Sequence, residues 1–370
     1  MKILHLADLH IGKKVNDFCM LNEQKFALSQ AIDLIKEQKI EAVLICGDVF
    51  DRPIPSISAL ELFNAFLKEL NVLRIKTFIV SGNHDNMDRL SYLSDLLQQS
   101  SIFISKSFDG NIQQINLNDE ISIFLMPYLY PALIRKYYPD AEIKNYNDAI
   151  KLVVDDIKLD SDKFNILLAH QFVVGNNLPE LSQSEQKSVG AIDEINYKIF
   201  EKFDYTALGH LHCPQKCGNE NIRYAGSILK YSFSEINQVK KFVVLNVSNK
   251  KFNFEFYPIM FLHEMKQYCG FLDDFLSKEF YSKIDTQDYI HFILKDEYVI
   301  DAKKKLSLIY PNIMLLEFDN SLTRNINKIN SIQVEKNIYE HFCDFYKMQT
   351  NIELDKNKEK IVLEILKGGC

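Results

Sequence analysis

Glycine and proline are scarce in these 370 residues, at 12 and 9, so no long disordered linker is evident. An excess of positive charge is also missing: 43 Lys and Arg face 50 Asp and Glu, for a net charge of −7. That argues against a protein that coats nucleic acid by itself, because phosphate binding relies on Lys and Arg displacing counterions. It leaves room for an enzyme whose site draws its positive charge from metal ions. The seven cysteines, at 19, 46, 213, 217, 269, 343 and 370, are odd in number and irregularly spaced. They form no disulfide framework and point to a reducing, cytoplasmic compartment. The N-terminal apolar run is interrupted by His5, Asp8 and His10, so it is neither a signal peptide nor a membrane span. The residues that are present, 47% apolar and 25% charged, are ordinary for a soluble globular protein, and the length suggests two or three domains.

Short apolar runs and helical periodicities alternate through the first hundred residues. Strands are expected at Ile3–Ala7, Ala42–Cys46 and Lys76–Val80, with helices over Asn22–Lys39, Ser56–Leu70 and Asp88–Leu97. Parallel βαβ units are the natural outcome. Hairpin signals come next at Ile112–Leu125 and Phe242–Tyr257, a helix at Asn147–Ile157, and buried strands at Phe164–Ala169 and Tyr205–Leu208. The polar stretch Gly175–Gly190 reads as a surface loop. Beyond Phe261, helices at Phe271–Phe280 and Ile300–Ile309 alternate with strands Tyr289–Leu294 and Ile313–Phe318, a compact α+β unit. A polar linker, Asn320–Asn330, precedes two amphipathic helices, Val334–Tyr346 and Lys356–Leu366. Helices beyond a linker have little to bury against at home, so a partner surface is expected for them.

Metal-ligating side chains fall at or just past the strand ends: Asp8, His10, Asp48, Asn83, His170, His210 and His212. Parallel strands bring such ends to one edge of a sheet. Alternation along extended chain puts Asp8 with His10, and His210 with His212, on one face. Two carboxylates, one amide and four imidazoles suffice for two divalent ions, with Asp48 the candidate bridge because it follows a central strand. Oxygen and nitrogen ligands without thiolate favour Mn²⁺, Fe²⁺ or Zn²⁺. Ions about 3.5–4 Å apart can clamp a phosphoryl group and make hydroxide from water near neutral pH, which is hydrolysis of a phosphate ester. His84 is then free to stabilise transition-state charge or protonate the leaving oxygen, held in place by Asp85 or Asp51. His5, His263, His291 and His341 lack such company and read as structural or surface residues. Cys213 and Cys217 read as two free thiols in a turn rather than a zinc knuckle.

Asp8-x-His10, Gly47-Asp48-x-x-Asp51, Gly82-Asn83-His84-Asp85, His170 and Gly209-His210-x-His212 resemble the five signatures of calcineurin-like metallophosphoesterases. More narrowly, His5–Lys13, Ala169–Val173 and Tyr224–Glu235 resemble the nuclease subunits of that family that assemble with a coiled-coil ATPase. The resemblance covers residues 1–260; the remainder matches in layout rather than in sharp motifs. It implies a metallophosphoesterase β-sandwich flanked by helices over 1–260, an α+β capping domain over 261–320, and a linker with C-terminal helices over 321–370 that dock on the ATPase. It implies Asp8, His10, Asp48 and His212 around one ion and Asp48, Asn83, His170 and His210 around the other, with Mn²⁺ preferred. His84 is implied as the catalytic histidine, and a homodimer within a heterotetramer as the assembly. Some relatives carry a further histidine near the position of Asp51, a role not transferable to an aspartate. The function implied is a DNA nuclease, exonuclease and hairpin endonuclease, in repair and recombination. The alternative is a small-molecule or cyclic-nucleotide phosphodiesterase on the same site. Lys13, Lys14, Lys240 and Lys241 are the candidate DNA contacts.

Overall fold

The computed structural model describes residues 1–176, 179–185, 193–296 and 299–319, and beyond them Tyr339, Phe342, Cys343, Tyr346, Lys347, Lys358, Glu359 and Val362. Two six-stranded sheets lie face to face. The first runs in the order Lys251–Pro258, Lys241–Ser248, Lys2–Leu6, Ala42–Cys46, Lys76–Val80, Ile102–Ile104. Its last four strands are parallel, and the hairpin of residues 241–258 joins antiparallel beside Lys2–Leu6. The second sheet runs Gln215–Cys217, Asn219–Tyr224, Tyr205–Gly209, Phe164–His170, Ile121–Leu125, Gln113–Asn116, parallel in its centre and antiparallel at both edges.

Burial on both faces explains why the central strands are apolar throughout. All five residues of Ala42–Cys46 and all seven of Phe164–His170 are buried. Alternate side chains go to different layers. Leu44, Phe78 and Val80 meet Ile166, Leu168 and Ala207 between the sheets. Val43, Ile45 and Ile79 face outward onto Leu28, Ala31, Phe63 and Phe66 of the covering helices Leu21–Gln38 and Ile57–Val72. On the far side, Leu167, Ala169 and Leu208 pack with Ile150, Val153 and Val154 of helix Tyr146–Asp156. The result is the expected helix-flanked β-sandwich, and it sets the parallel strands of both sheets with their C-terminal ends at a common edge.

Two expected helices are broken. Asp88–Leu97 is split into Met87–Leu90 and Ser94–Leu97 because Leu93 takes a left-handed φ of 64°. Phe271–Phe280 becomes Leu272–Leu276 and Lys278–Tyr281; Ser277 is extended between them, and its hydroxyl caps the second by accepting from the Phe280 N–H. A serine that can cap a new helix competes with continuing the old one.

Residues 1–317 form one compact unit and residues 318–370 a second. A three-stranded sheet, which belongs to the first unit as far as Glu317, is built from Met265–Gly270, Tyr289–Leu294 and Ile313–Phe318. It shares an apolar cluster with the sandwich through Met265, Tyr289 and Met314, and His263 bonds Glu23 at 2.6 Å. The Asn320–Asn330 linker lies outside the described residues, as do most of the two expected helices after it. Their described residues are helical; Tyr339 donates to Glu359 at 2.8 Å and Lys358 to the Tyr346 hydroxyl at 2.8 Å. Among the described residues, no helix is long and apolar enough to cross a membrane.

Candidate metal centre

The strand Lys2–Leu6 stops short of Asp8, and the loop after it lies alongside the loop after Ala42–Cys46. Asp8 N–H donates to Gly47 O, His10 to Asp48 O and Ile11 to Val49 O, at 3.2, 2.8 and 2.9 Å. Within this pair of loops Asp8, His10 and Asp48 have φ of 51°, 45° and 47°, and His210 across the site has 109°. These are conformations that non-glycine residues avoid, at about 1–3 kcal/mol each. The alternation expected of extended chain is therefore corrected. Asp8 and His10 do reach the same site, but through left-handed turns, and His210 leaves its strand in the same way.

Glycines before the ligands allow the loops to close up. A Cβ on Gly82 would stand 2.1 Å from Asp48 Oδ1, and one on Gly209 would stand 1.8 Å from the Cys46 carbonyl oxygen. Those distances exclude any side chain, so each glycine-plus-ligand pair in the sequence is a packing requirement of the centre.

All seven expected ligands converge. Ligand atoms of Asp8, His10 and His212 lie within 4.8 Å of one another, as do those of Asp8, Asp48 and His170 and those of His10, Asp48 and His84. Asp48 sits 3.4 Å from His170 Nε2 and 3.5 Å from His10 Nε2. The Asn83 amide oxygen lies 2.9 Å from His170 Nε2 and 3.1 Å from His210 Nδ1.

The donor set fits divalent cations. Asp8 Oδ2 is buried without a hydrogen-bond partner. His10 Nε2 and His212 Nε2 face each other at 3.1 Å, where two imidazole lone pairs can both be satisfied only by a cation or a shared proton. The electrostatics say the same. Burial pushes the Asp8 carboxyl up to about 7 and holds His10 well below the usual imidazole range. Burial, then the neighbouring His170, brings His210 down to about 3. Burial also works against charge on His170, but the Asp48 and Asp8 carboxylates outweigh it and raise the ring to about 9. Against burial, the imidazoles around Asp48, His170 foremost, hold its carboxyl well below the ordinary value. Without a cation, a proton on His170 supplies the positive charge that the carboxylates demand.

His84 and Asp85 are placed differently from each other. The His84 N–H donates to Asp48 Oδ1 at 2.8 Å, and its ring Nδ1 meets the backbone carbonyl of Asp51 at 2.9 Å. A carbonyl can only accept, so Nδ1 carries the hydrogen and Nε2 is presented to Asp48, 4.0 Å away. Of the two expected holders of His84, Asp51 is the one that binds it, through its main chain. The Asp85 carboxylate instead accepts from the N–H groups of Val49, Phe50 and Gly82, at 3.1, 3.0 and 2.9 Å. It ties the two ligand loops together and makes no bond to the imidazole. The Asp51 carboxylate pairs with Lys13 at 2.6 Å.

Sequence reading missed the shell behind the ligands. Glu235 is fully buried, and its Oε1 accepts from Ser182 and Ser184 hydroxyls at 2.7 and 2.5 Å. Ser184 Oγ in turn bonds His212 Nδ1 at 2.7 Å. Against burial, Lys240, then His212, keeps Glu235 ionised well below the usual range. The Tyr231 hydroxyl donates to Leu9 O, and Gln24 Nε2 to His10 O at 2.7 Å, bracing the first ligand loop. Thus the stretch from Gly175 to Gly190 is not simply a surface loop, since Ser182 is buried and Ser184 reaches a ligand. The sequence signal was the Tyr224–Glu235 motif, whose residues had a resemblance but no role. Lys240 is corrected as well. It is buried, and its ammonium donates to His212 O, Ser227, Glu235 and Gln238, so it is no DNA contact.

Cys213 and Cys217 are free thiols outside every metal-capable cluster of the described residues, and burial pushes both up to about 12. His5 is structural as expected, buried and 2.8 Å from the Tyr205 hydroxyl. His341 lies outside the described residues.

Because Ser184 and Glu235 hold the His212 ring from behind, they are positioning residues. Glu235→Gln should weaken binding of divalent cations about 10–100-fold, with Ser184→Ala acting in the same direction. Calorimetric titration of the folded variants measures this, and an affinity equal to that of the parent would remove the assignment.

A family model described as calcineurin-like phosphoesterase matches residues 1–214. The chain is 31% identical over 376 aligned positions to a Staphylococcus epidermidis protein named as a subunit of the nuclease SbcCD, covering 98% of this chain and 99% of that one. Among solved structures, a dimetal phosphatase from Danio rerio aligns over 70% of this chain and 96% of its own at 8% identity and a TM-score of 0.40. A Thermus thermophilus protein aligns over 69% and 98% at 12% identity and 0.38. With the family model spanning both ligand-bearing halves of the sandwich and the relative matching nearly end to end, the chain belongs to the calcineurin-like phosphoesterase family and is a metal-dependent phosphoesterase.

Proposed function

We propose that this chain is the nuclease subunit of an SbcCD-type complex, a cytoplasmic Mn²⁺-dependent phosphodiesterase acting on DNA in repair and recombination. Its reactions are 3′→5′ exonuclease cleavage of duplex ends and endonuclease cleavage of hairpins. The observation that carries this reading is the near full-length match to an SbcCD nuclease subunit, which extends through the small sheet and the C-terminal segment that a small-ester phosphatase has no evident use for. A coiled-coil ATPase is the proposed partner, docked through residues 334–366, with a homodimer at the centre of a heterotetramer.

In this reading Asp8, His10, Asp48 and His212 hold one cation, and Asp48, Asn83, His170 and His210 the other. When bound, the pair supplies Lewis-acid charge and a nucleophile drawn from water. The chain's own contribution is orientation. The His170 Nδ1–H is held by the Cys46 carbonyl at 2.9 Å, which aims Nε2 into the centre. Ser184 fixes the His212 tautomer so that Nε2 faces His10. His84 keeps its Nδ1 hydrogen on Asp51 O and turns Nε2 toward Asp48; with Nε2 protonated as well, the ring would steady developing charge or deliver that proton to the leaving oxygen.

Purified chain with Mn²⁺ is expected to cut both labelled hairpin DNA and bis-nitrophenyl phosphate. Cleavage confined to the small ester, even with the ATPase present, would favour the small-molecule or cyclic-nucleotide phosphodiesterase reading. A chain ending before Val334 should fail to capture the ATPase yet retain Mn²⁺-dependent ester hydrolysis; undiminished capture would move the docking site elsewhere.

A further inference from the structure

The carbonyl that receives the His84 ring sits at a weak point of the chain. Main-chain bonds tie the loop after Ala42–Cys46 to the loop of Asp8 and His10 only as far as Asp51. There the Asp51 N–H donates to Ile11 O at 3.3 Å, the longest of the four. Arg52, Pro53, Ile54 and Pro55 follow, a largely exposed stretch. Its two prolines have no N–H to give. Among the described residues, none of these four makes a main-chain hydrogen bond. The Asp51 carbonyl is therefore the first peptide oxygen past the end of the ladder.

The Asp51 side chain supplies the anchor that the main chain lacks. Lys13 Nζ donates to Asp51 Oδ1 at 2.6 Å, and both side chains are only 14% exposed. A contact of that length between ionised groups is a charge-assisted hydrogen bond. Lys13 is itself a fixed point on the opposite loop. Its N–H donates to His10 O at 3.0 Å, its carbonyl accepts from Met20 at 3.1 Å, and its ammonium stands 5.6 Å from the centre of the Tyr231 ring. Arg52 comes no closer than 3.7 Å to the second carboxylate oxygen and is 77% exposed, so it adds little. His10 Nδ1 lies 3.9 Å from Oδ1, too far for a hydrogen bond.

We propose that Lys13 is a positioning residue for His84. Its ion pair with Asp51 holds the Asp51 carbonyl where it accepts the Nδ1 hydrogen, and so keeps Nε2 aimed at the centre. Without the ammonium, the Asp51 carboxylate has no close counter-charge and turns toward water. The unbonded peptide behind it goes with it, and the ring loses its acceptor. The inference rests on the role given to His84 above and adds the cation on which that role depends. It also takes Lys13, expected as a DNA contact, away from the substrate.

Hydrolysis of bis-nitrophenyl phosphate by the full chain at saturating Mn²⁺ tests this, in a cycle with His84→Ala. Lys13→Met keeps the length of the side chain and removes its charge. It should lower kcat about 10–100-fold, the loss expected of a misplaced catalytic group, with KM unchanged. Mn²⁺ affinity by titration calorimetry should equal the parent's, and Lys13→Arg should restore most of the turnover. In the His84→Ala background, Lys13→Met should have no further effect, because a brace is idle once the ring it steadies is gone. Asp51→Asn keeps the carbonyl and drops the charge, so it should reproduce Lys13→Met; if Lys13→Met does not fold, Asp51→Asn carries the test. A raised KM, or losses that multiply in the double variant, would make Lys13 a substrate contact. A loss that follows Mn²⁺ affinity would make it a support of the metal centre. Either result overturns the inference. Full turnover by Lys13→Met beside an impaired His84→Ala removes the brace alone, whereas full turnover by His84→Ala removes the His84 reading together with it.

Discussion

His84→Ala is expected to lower hydrolysis of bis-nitrophenyl phosphate about 10²–10⁴-fold, the range for removing a positioned acid–base group. The expectation comes from how the ring is held. Its Nδ1 is committed to the Asp51 carbonyl, so Nε2 is the only nitrogen available to the centre, and the backbone of the same residue is anchored on Asp48. Alanine keeps that backbone bond and removes only the ring. His84 also lies close enough to His10 and Asp48 to be counted among metal-capable groups. Metal content of the variant separates the two roles: an acid or charge stabiliser leaves it unchanged, whereas a ligand lowers it. Turnover close to the parent's would show that neither role is needed.

The second large effect is on pH. Affinity for divalent cations should fall by about 10³ between pH 8 and pH 6, at roughly a factor of ten per unit for each proton displaced. The sign is set by the apo centre. His170 titrates at about 9, so at any lower pH it holds a proton that a cation must expel. Asp8 titrates at about 7, so below that a second proton is expelled. One proton is thus released between pH 8 and 7, and two between 7 and 6. Titration calorimetry in buffers of different ionisation heat measures that release directly. An affinity independent of pH would mean that cations bind elsewhere, or that the two groups are already deprotonated.

Much of this centre was legible in the one-dimensional pattern because strand ends announce themselves. Buried apolar runs stop abruptly, and the chain turns polar at Asp8, Asp48, Asn83, His170 and His210, where a loop could have been bland. Periodicity carries no φ, so it does not foresee the left-handed turns through which Asp8 and His10 reach the site. Nor does it show which polar groups the fold carries inside, so neither the backbone bonds of Asp85 nor the burial of Lys240 is legible in it. The supporting shell was unreadable for a related reason. Ser184, Glu235 and Gln24 are ordinary polar residues until the fold carries them from distant parts of the sequence to one place.

The amino acids by themselves determined which atoms could ligate metal and which strands had to be buried, because ligand chemistry and hydrophobic burial are properties of composition and spacing. Only the tertiary structure decided how those atoms face one another. The left-handed turns at Asp8, His10 and Asp48, the glycines with no room for a Cβ, and the carboxylate behind His212 are set by two sheets pressed together. That packing spends conformational strain to hold acceptor atoms close, where only positive charge relieves them.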